Sequence, residues 1–128
     1  MKILLAGGGT AGHINPAISI ADTIKRHYPD SEFLFVGTKN GMEATLVPKS
    51  GYKIEFIEVQ GLKRKLTLSN LMSVYKAAGA SLKCRKIIKS FSPDVVIGTG
   101  GYVSGHIVLR AAKRGIKTAL HEQNAFAG

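Results

Sequence analysis

The sequence predicts an α/β fold, a Rossmann-like doubly wound parallel sheet. Short apolar runs alternate with stretches of helical apolar spacing along all 128 residues. The runs themselves, such as Lys2-Ile3-Leu4-Leu5-Ala6 and Glu32-Phe33-Leu34-Phe35-Val36, are near-continuously apolar, as strands covered on both faces should be. Between the first run and the first helical stretch stand Gly7, Gly8, Gly9 and Gly12, four glycines in six positions. A strand feeding a helix through such a turn builds an anion site: backbone can approach a ligand closely, and the free N–H groups of the helix point at it.

Taken in order, the first strand ends at Ala6 and the glycine turn follows. Asn15 reads as the N-cap of the first helix, with Pro16 at its first position. Ala17, Ile18, Ala21 and Ile24 form its inward stripe, and Tyr28-Pro29-Asp30 stops it. Glu32–Val36 is the second strand and Gly37–Gly41 a turn. Met42–Val47 is a short helix closed by Pro48 and Gly51. Lys53–Val59 alternates around Ile54, Phe56, Ile57 and Val59 and reads as the third strand. Gln60–Thr67 is a basic loop. From an N-cap at Ser69 a long helix runs to Phe91, with Leu71, Val74, Tyr75, Ala78, Leu82, Ile87 and Ile88 inward. Val95–Gly98 is the fourth strand, Thr99–Gly105 a second glycine-rich turn, and Ile107–Arg114 a helix stopped by Gly115. Lys117–His121 is a buried fifth strand, and residues 122–128 trail from its carboxyl end. Ligands of such sheets sit beyond the carboxyl ends of the strands. The first glycine turn, the Thr99–Gly105 turn and the His121–Asn124 tail should therefore share one rim.

A chain of 128 residues, 45% hydrophobic and 20% charged, supports one folded domain, 1–128. No apolar run approaches the ~20 residues of a membrane span, and the N-terminus lacks the pattern of a signal peptide. Cys84 is the sole cysteine, so no internal disulfide forms and the cytoplasm is the simplest compartment. The net charge of +10 is concentrated. From Val59 to Pro93 there is no acidic residue, while Lys63, Arg64, Lys65, Lys76, Lys83, Arg85, Lys86 and Lys89 fall there. Such a block is either a solvated helix face or a surface for nucleic acid, phosphorylated substrate or anionic lipid. Its few aromatics make it poor for stacking on single strands, which argues against nucleic acid. Leu66 and Leu68, beside Lys63, Arg64 and Lys65, suit a membrane-surface patch. The chain stops just beyond its fifth strand, which reads as a fragment or as one subunit of a two-part enzyme.

The glycine turn is no dinucleotide fingerprint, because Val36-Gly37-Thr38-Lys39 stands where a ribose-binding acid belongs. Nor is it a phosphate loop of the Gly-Lys-Ser/Thr kind. His13, at the start of the first helix, is a candidate base for an attacking hydroxyl, or a residue that orients the turn. Glu122 can accept from sugar hydroxyls or steer His13. Asn124 offers both donor and acceptor, and Tyr102 a ring to stack or a hydroxyl to bond. His121 and His27 read as structural, and Cys84 as a buried helix residue.

Gly8-Gly9-Thr10-Ala11-Gly12-His13 with Pro16, Gly98-Thr99-Gly100-Gly101-Tyr102-Val103-Ser104-Gly105 and His121-Glu122-Gln123-Asn124-Ala125 together resemble the amino-terminal domain of the MurG family. Phe35-Val36-Gly37-Thr38, Met42-Glu43 and Gly61-Leu62-Lys63-Arg64-Lys65 match as well, so the likeness covers the whole chain. These are bacterial hexosyltransferases of peptidoglycan synthesis, which move N-acetylglucosamine from UDP-N-acetylglucosamine to lipid I, making lipid II. The resemblance implies the amino-terminal, acceptor-binding half of a GT-B glycosyltransferase that needs no metal or other cofactor. It would be peripheral on the inner face of the cell membrane, and its carboxyl-terminal donor-binding domain is absent from this chain. Alone, the half should be inactive or very weak. By the same resemblance Gly9, Thr10, Ala11, Gly12, Gly100, Gly101, Tyr102 and Asn124 bind substrate, and His13 and Glu122 serve the chemistry. The alternative is a non-catalytic membrane-recruiting subunit of a split GT-B transferase. The chain departs from the family at Ala11, where glycine is usual, and at His106 and Ala127, where prolines are. If position 11 needs a positive φ, alanine there costs about 1 kcal/mol or more.

Overall fold

In the computed structural model, which describes residues 1–57 and 82–121, each apolar run lies beside another in parallel. The elements are β1 (Lys2–Gly7), α1 (Ala11–His27), β2 (Glu32–Gly37), α2 (Glu43–Lys49), β3 (Lys53–Phe56), α3 (residues 82–91), β4 (Val95–Gly100), α4 (Tyr102–Lys113) and β5 (Lys117–Leu120). The sheet order is β3-β2-β1-β4-β5. Register is set by in-step pairing: Ile3 sits beside Phe33 and Val95, and Leu5 beside Phe35 and Ile97. The doubly wound parallel sheet expected from the sequence is the fold observed.

The two-residue period of a strand splits the core into two layers. Ile3 and Leu5 face one way and pack with Phe35, Ile97 and the α1 residues Ile14, Ala17 and Ala21. Leu4 and Ala6 face the other way and pack with Val36, Val96, Cys84, Ile87 and Ile88 of α3, and Val103, Ile107 and Ala111 of α4. Both faces of β1 are fully buried, which is why its sequence runs apolar without alternation. Cys84 is the buried helix residue expected. Burial pushes its thiol up to about 11, with the nearby Arg110 charge offsetting part of the rise.

Several boundaries differ from the expectation. The first helix begins at Ala11, with Thr10 as an extended N-cap, and Pro16 lies inside it. The Thr10 carbonyl already closes the first turn by accepting from His13 N (3.1 Å) and Ile14 N (3.2 Å). Pro16 then removes only the donor that would have met the Gly12 carbonyl, and Gly12 is exposed to water. The short helix α2 likewise includes Pro48. Leu82 faces outward, because the inward stripe of α3 is Cys84, Ile87, Ile88 and Phe91, and residue 82 falls off that face.

The second glycine-rich turn is much shorter than expected. β4 continues to Gly100 and α4 starts at Tyr102, so residues 102–105 are helical. Val103, Ile107 and Ala111, spaced by four, bury one stripe, and this packing outweighs the modest cost of Gly105 within a helix. β5 is exposed along all four residues rather than buried, since it is the outer strand of the described sheet. His121 lies just past it, exposed, and donates its backbone N–H to Gly98 O at 2.8 Å.

No helix among the described residues is long and apolar enough to cross a membrane. Lys63, Arg64, Lys65, Leu66 and Leu68, the helix start expected at Ser69, and Glu122, Asn124 and Ala127 lie outside the described residues.

Candidate active site

The sheet order reverses direction between β1 and β4, so the connections leaving these two neighbours part to opposite faces. A crevice at the carboxyl ends of the strands follows from that geometry. Both glycine turns open there, and they touch. Gly8 N donates to Gly100 O at 3.3 Å. A Cβ on Gly101 would stand 2.8 Å from Gly8 O. Gly101 also has φ 91° and ψ 169°, a conformation open to glycine alone, and from it α4 begins without a side-chain cap.

His13 is the third residue of α1, half-buried at this junction. Its Nδ1 lies 2.9 Å from Gly8 O. A carbonyl oxygen can only accept, so Nδ1 carries the proton and donates. In the neutral ring Nε2 is then the unprotonated nitrogen. Nε2 has no partner among the described residues and lies over Gly100, where a Cβ would come within 2.9 Å of it. The buried Thr99 hydroxyl donates to the His13 carbonyl and ties the carboxyl end of β4 to the first turn of α1. Strand end, helix start and imidazole are thus one unit.

The helix starts leave donors for a ligand. With His13 N and Ile14 N spent on Thr10 O, the Ala11 and Gly12 amides have no acceptor among the described residues. At α4 the first intrahelical donor is Gly105 N, bonded to Gly101 O at 3.4 Å, which leaves the amides of residues 102–104 in the same position. Two sets of unpaired N–H groups, each with the positive end of a helix dipole behind it, suit a diphosphate.

Comparisons with known proteins give the family of the chain. The model of the glycosyltransferase family 28 N-terminal domain matches residues 3–128. The chain belongs to that family. It is 53% identical, over its full length, to the UDP-N-acetylglucosamine–N-acetylmuramyl-(pentapeptide) pyrophosphoryl-undecaprenol N-acetylglucosamine transferase of Alkaliphilus oremlandii, and 51% identical to the protein of that name from Acetivibrio thermocellus. It spans 35% of the length of each. Among solved structures it resembles Acinetobacter baumannii MurG, with TM-score 0.82 and 31% identity over 99% of this chain and 36% of that one. The spinosyn rhamnosyltransferase SpnG shares the fold, with TM-score 0.71 at 10% identity over all of this chain and 37% of that one.

Within this family 28 domain, the structure brings Gly9, Thr10, Ala11, Gly12, His13, Gly100 and Gly101 together at one crevice, and the backbone of Tyr102 opens α4 beside them. The condition under which Ala11 would be strained is not met. Ala11 is the first residue of a helix and has no positive φ, so alanine suits it. One residue at the junction was missed as a site residue by sequence reasoning. Glu43 is fully buried, and its carboxylate lies under the first glycine turn. A charged residue just after an exposed Met42 reads locally as surface. The available signal was the pair of glycines, Gly37 and Gly41, that bracket a turn opposite the first one.

Proposed function

We propose that the full-length protein carrying this chain moves N-acetylglucosamine from UDP-N-acetylglucosamine to lipid I, giving lipid II. This chain is its acceptor-side half and has little or no activity alone. The observation that carries the reading is the His13 imidazole, held by Gly8 O with Nε2 unpartnered among the described residues, at the meeting point of two helix starts without side-chain caps. An acceptor hydroxyl attacks the anomeric carbon of the donor sugar, and Nε2 takes the hydroxyl proton. The bond from that carbon to the diphosphate breaks, the electron pair leaves with UDP, and the anomeric centre inverts. The amides of Ala11 and Gly12 and of the start of α4 hold the acceptor diphosphate, with Gly9, Thr10, Gly100 and Gly101 letting it approach. Tyr102, Glu122 and Asn124 line the acceptor side. Lys63, Arg64 and Lys65, with Leu66 and Leu68, bring the half to the anionic inner face of the membrane, where the acceptor resides.

His13→Asn in the full-length enzyme tests the assignment, because asparagine keeps a donor toward Gly8 but supplies no basic nitrogen. Turnover should fall by about 100- to 10,000-fold, the usual range for a lost general base. A folded His13→Asn enzyme with turnover within about threefold of the parent removes the base from the mechanism.

A further inference from the structure

Glu43 is the first residue of α2, yet its side chain turns inward and is fully buried. Its two oxygens serve two different turns. Oε1 accepts from Gly9 N at 3.2 Å, in the turn after β1. Oε2 accepts from Thr38 N at 2.9 Å and from Thr38 Oγ1 at 3.3 Å, in the turn after β2. Space for the carboxylate exists because three neighbours lack side chains. A Cβ on Gly8, Gly37 or Gly41 would collide with it. An ionised carboxylate without partners could not stay in such a place, and three charge-assisted bonds are what hold it.

We infer that Glu43 is a positioning residue for the transfer reaction: it clamps the Gly8–Thr10 turn to the β2 turn and so sets the acceptor diphosphate seat and His13. The link to the site is short. Gly8 carries the carbonyl that orients His13, Gly9 is held by Glu43, and Thr10 caps α1. By occupying the Gly9 amide, the carboxylate also removes that donor from the seat. The diphosphate is left to the Ala11 and Gly12 amides farther along, where no carboxylate among the described residues competes. A glutamine at 43 cannot do the same. It has one acceptor oxygen, so its NH₂ must face either the Gly9 or the Thr38 N–H. This inference rests on the acceptor-site reading given above.

The test uses steady-state kinetics of the full-length enzyme with lipid I and UDP-N-acetylglucosamine varied separately. Glu43→Gln should raise the acceptor KM and lower kcat/KM for the acceptor by about 10- to 100-fold, the effect of losing one charge-assisted bond and opposing two donors. The donor KM should stay within about twofold. Gly41→Ala pushes the same carboxylate away by collision, without changing its chemistry, and should reproduce that pattern. The double variant should then be little worse than either single one, since both act through one group. If Glu43→Gln does not fold, Gly41→Ala alone decides. With rates referred to the folded fraction measured by circular dichroism, a kcat and acceptor KM both equal to the parent's, or additive effects of the two substitutions, would overturn the inference. Absence of transfer by the parent enzyme defeats the acceptor-site reading itself, whereas an active parent with a normal Glu43→Gln variant defeats only the role of Glu43.

Discussion

Gly101→Ala, set against Gly9→Ala, measures how closely the two glycine turns meet. Both positions have positive φ, 91° at Gly101 and 88° at Gly9. Both alanines therefore bear backbone strain of about 1–3 kcal/mol. Their surroundings differ. A Cβ at Gly9 meets nothing within 4 Å, while one at Gly101 stands 2.8 Å from Gly8 O and 3.4 Å from Gly8 C and N. Those atoms are backbone, so they cannot swing aside as a side chain would. Forcing the turns apart adds about 1–3 kcal/mol, the usual cost of overpacking. Gly101→Ala should thus be the more destabilising of the two by about 2 kcal/mol. Urea unfolding followed by circular dichroism measures the difference as a shift in midpoint at constant slope. Equal losses for the two variants would refute the close approach of Gly8 and Gly101, and with it the single crevice on which the site reading depends.

Two further outcomes are expected. Tyr52 is held above its ordinary 10.0, first by burial and then by its hydrogen bond to Asp22 and the charge of that carboxylate. Above pH 10 the unfolded chain loses this proton while the folded one keeps it, so stability falls as pH rises through that region. Tyr52→Phe should lose about 1 kcal/mol at neutral pH and show a shallower alkaline fall in urea titrations. An unchanged alkaline slope in that variant would count against a buried, bonded phenol. At the proposed membrane patch, replacing Lys63, Arg64 and Lys65 by glutamine should weaken vesicle binding by about 3 kcal/mol, roughly 1 per charge removed, on anionic but not neutral lipid. Binding that persists undiminished would overturn the proposed membrane role of this patch.

The elements were legible where one local period decided them. Ile3, Leu4 and Leu5 announce a strand buried on both faces, and Ala17 and Ala21 a helix stripe, because each pattern lies within a few consecutive residues. Boundaries were less legible. Asn15-Pro16 is a good local start for a helix, but contacts from β4 favour the earlier one: the Thr99 hydroxyl, 86 positions along the chain, bonds the His13 carbonyl and holds the first turn in place. At α4 the glycines suggested a loop, whereas burial of Val103 extends the helix back to Tyr102.

The residues themselves, through periodicity and glycine placement, determined a parallel α/β sheet with two glycine turns at the carboxyl ends of its strands. Tertiary structure alone decided that β1 and β4 are neighbours, that Gly8 touches Gly101, and that a glutamate belongs inside. The reason is one of range. Strand and helix periods are written in adjacent side chains, but Glu43 becomes stable in the interior only when Gly8 meets Gly37 and Gly41 around it. That meeting joins turns roughly thirty positions apart, and no window of neighbouring residues contains it.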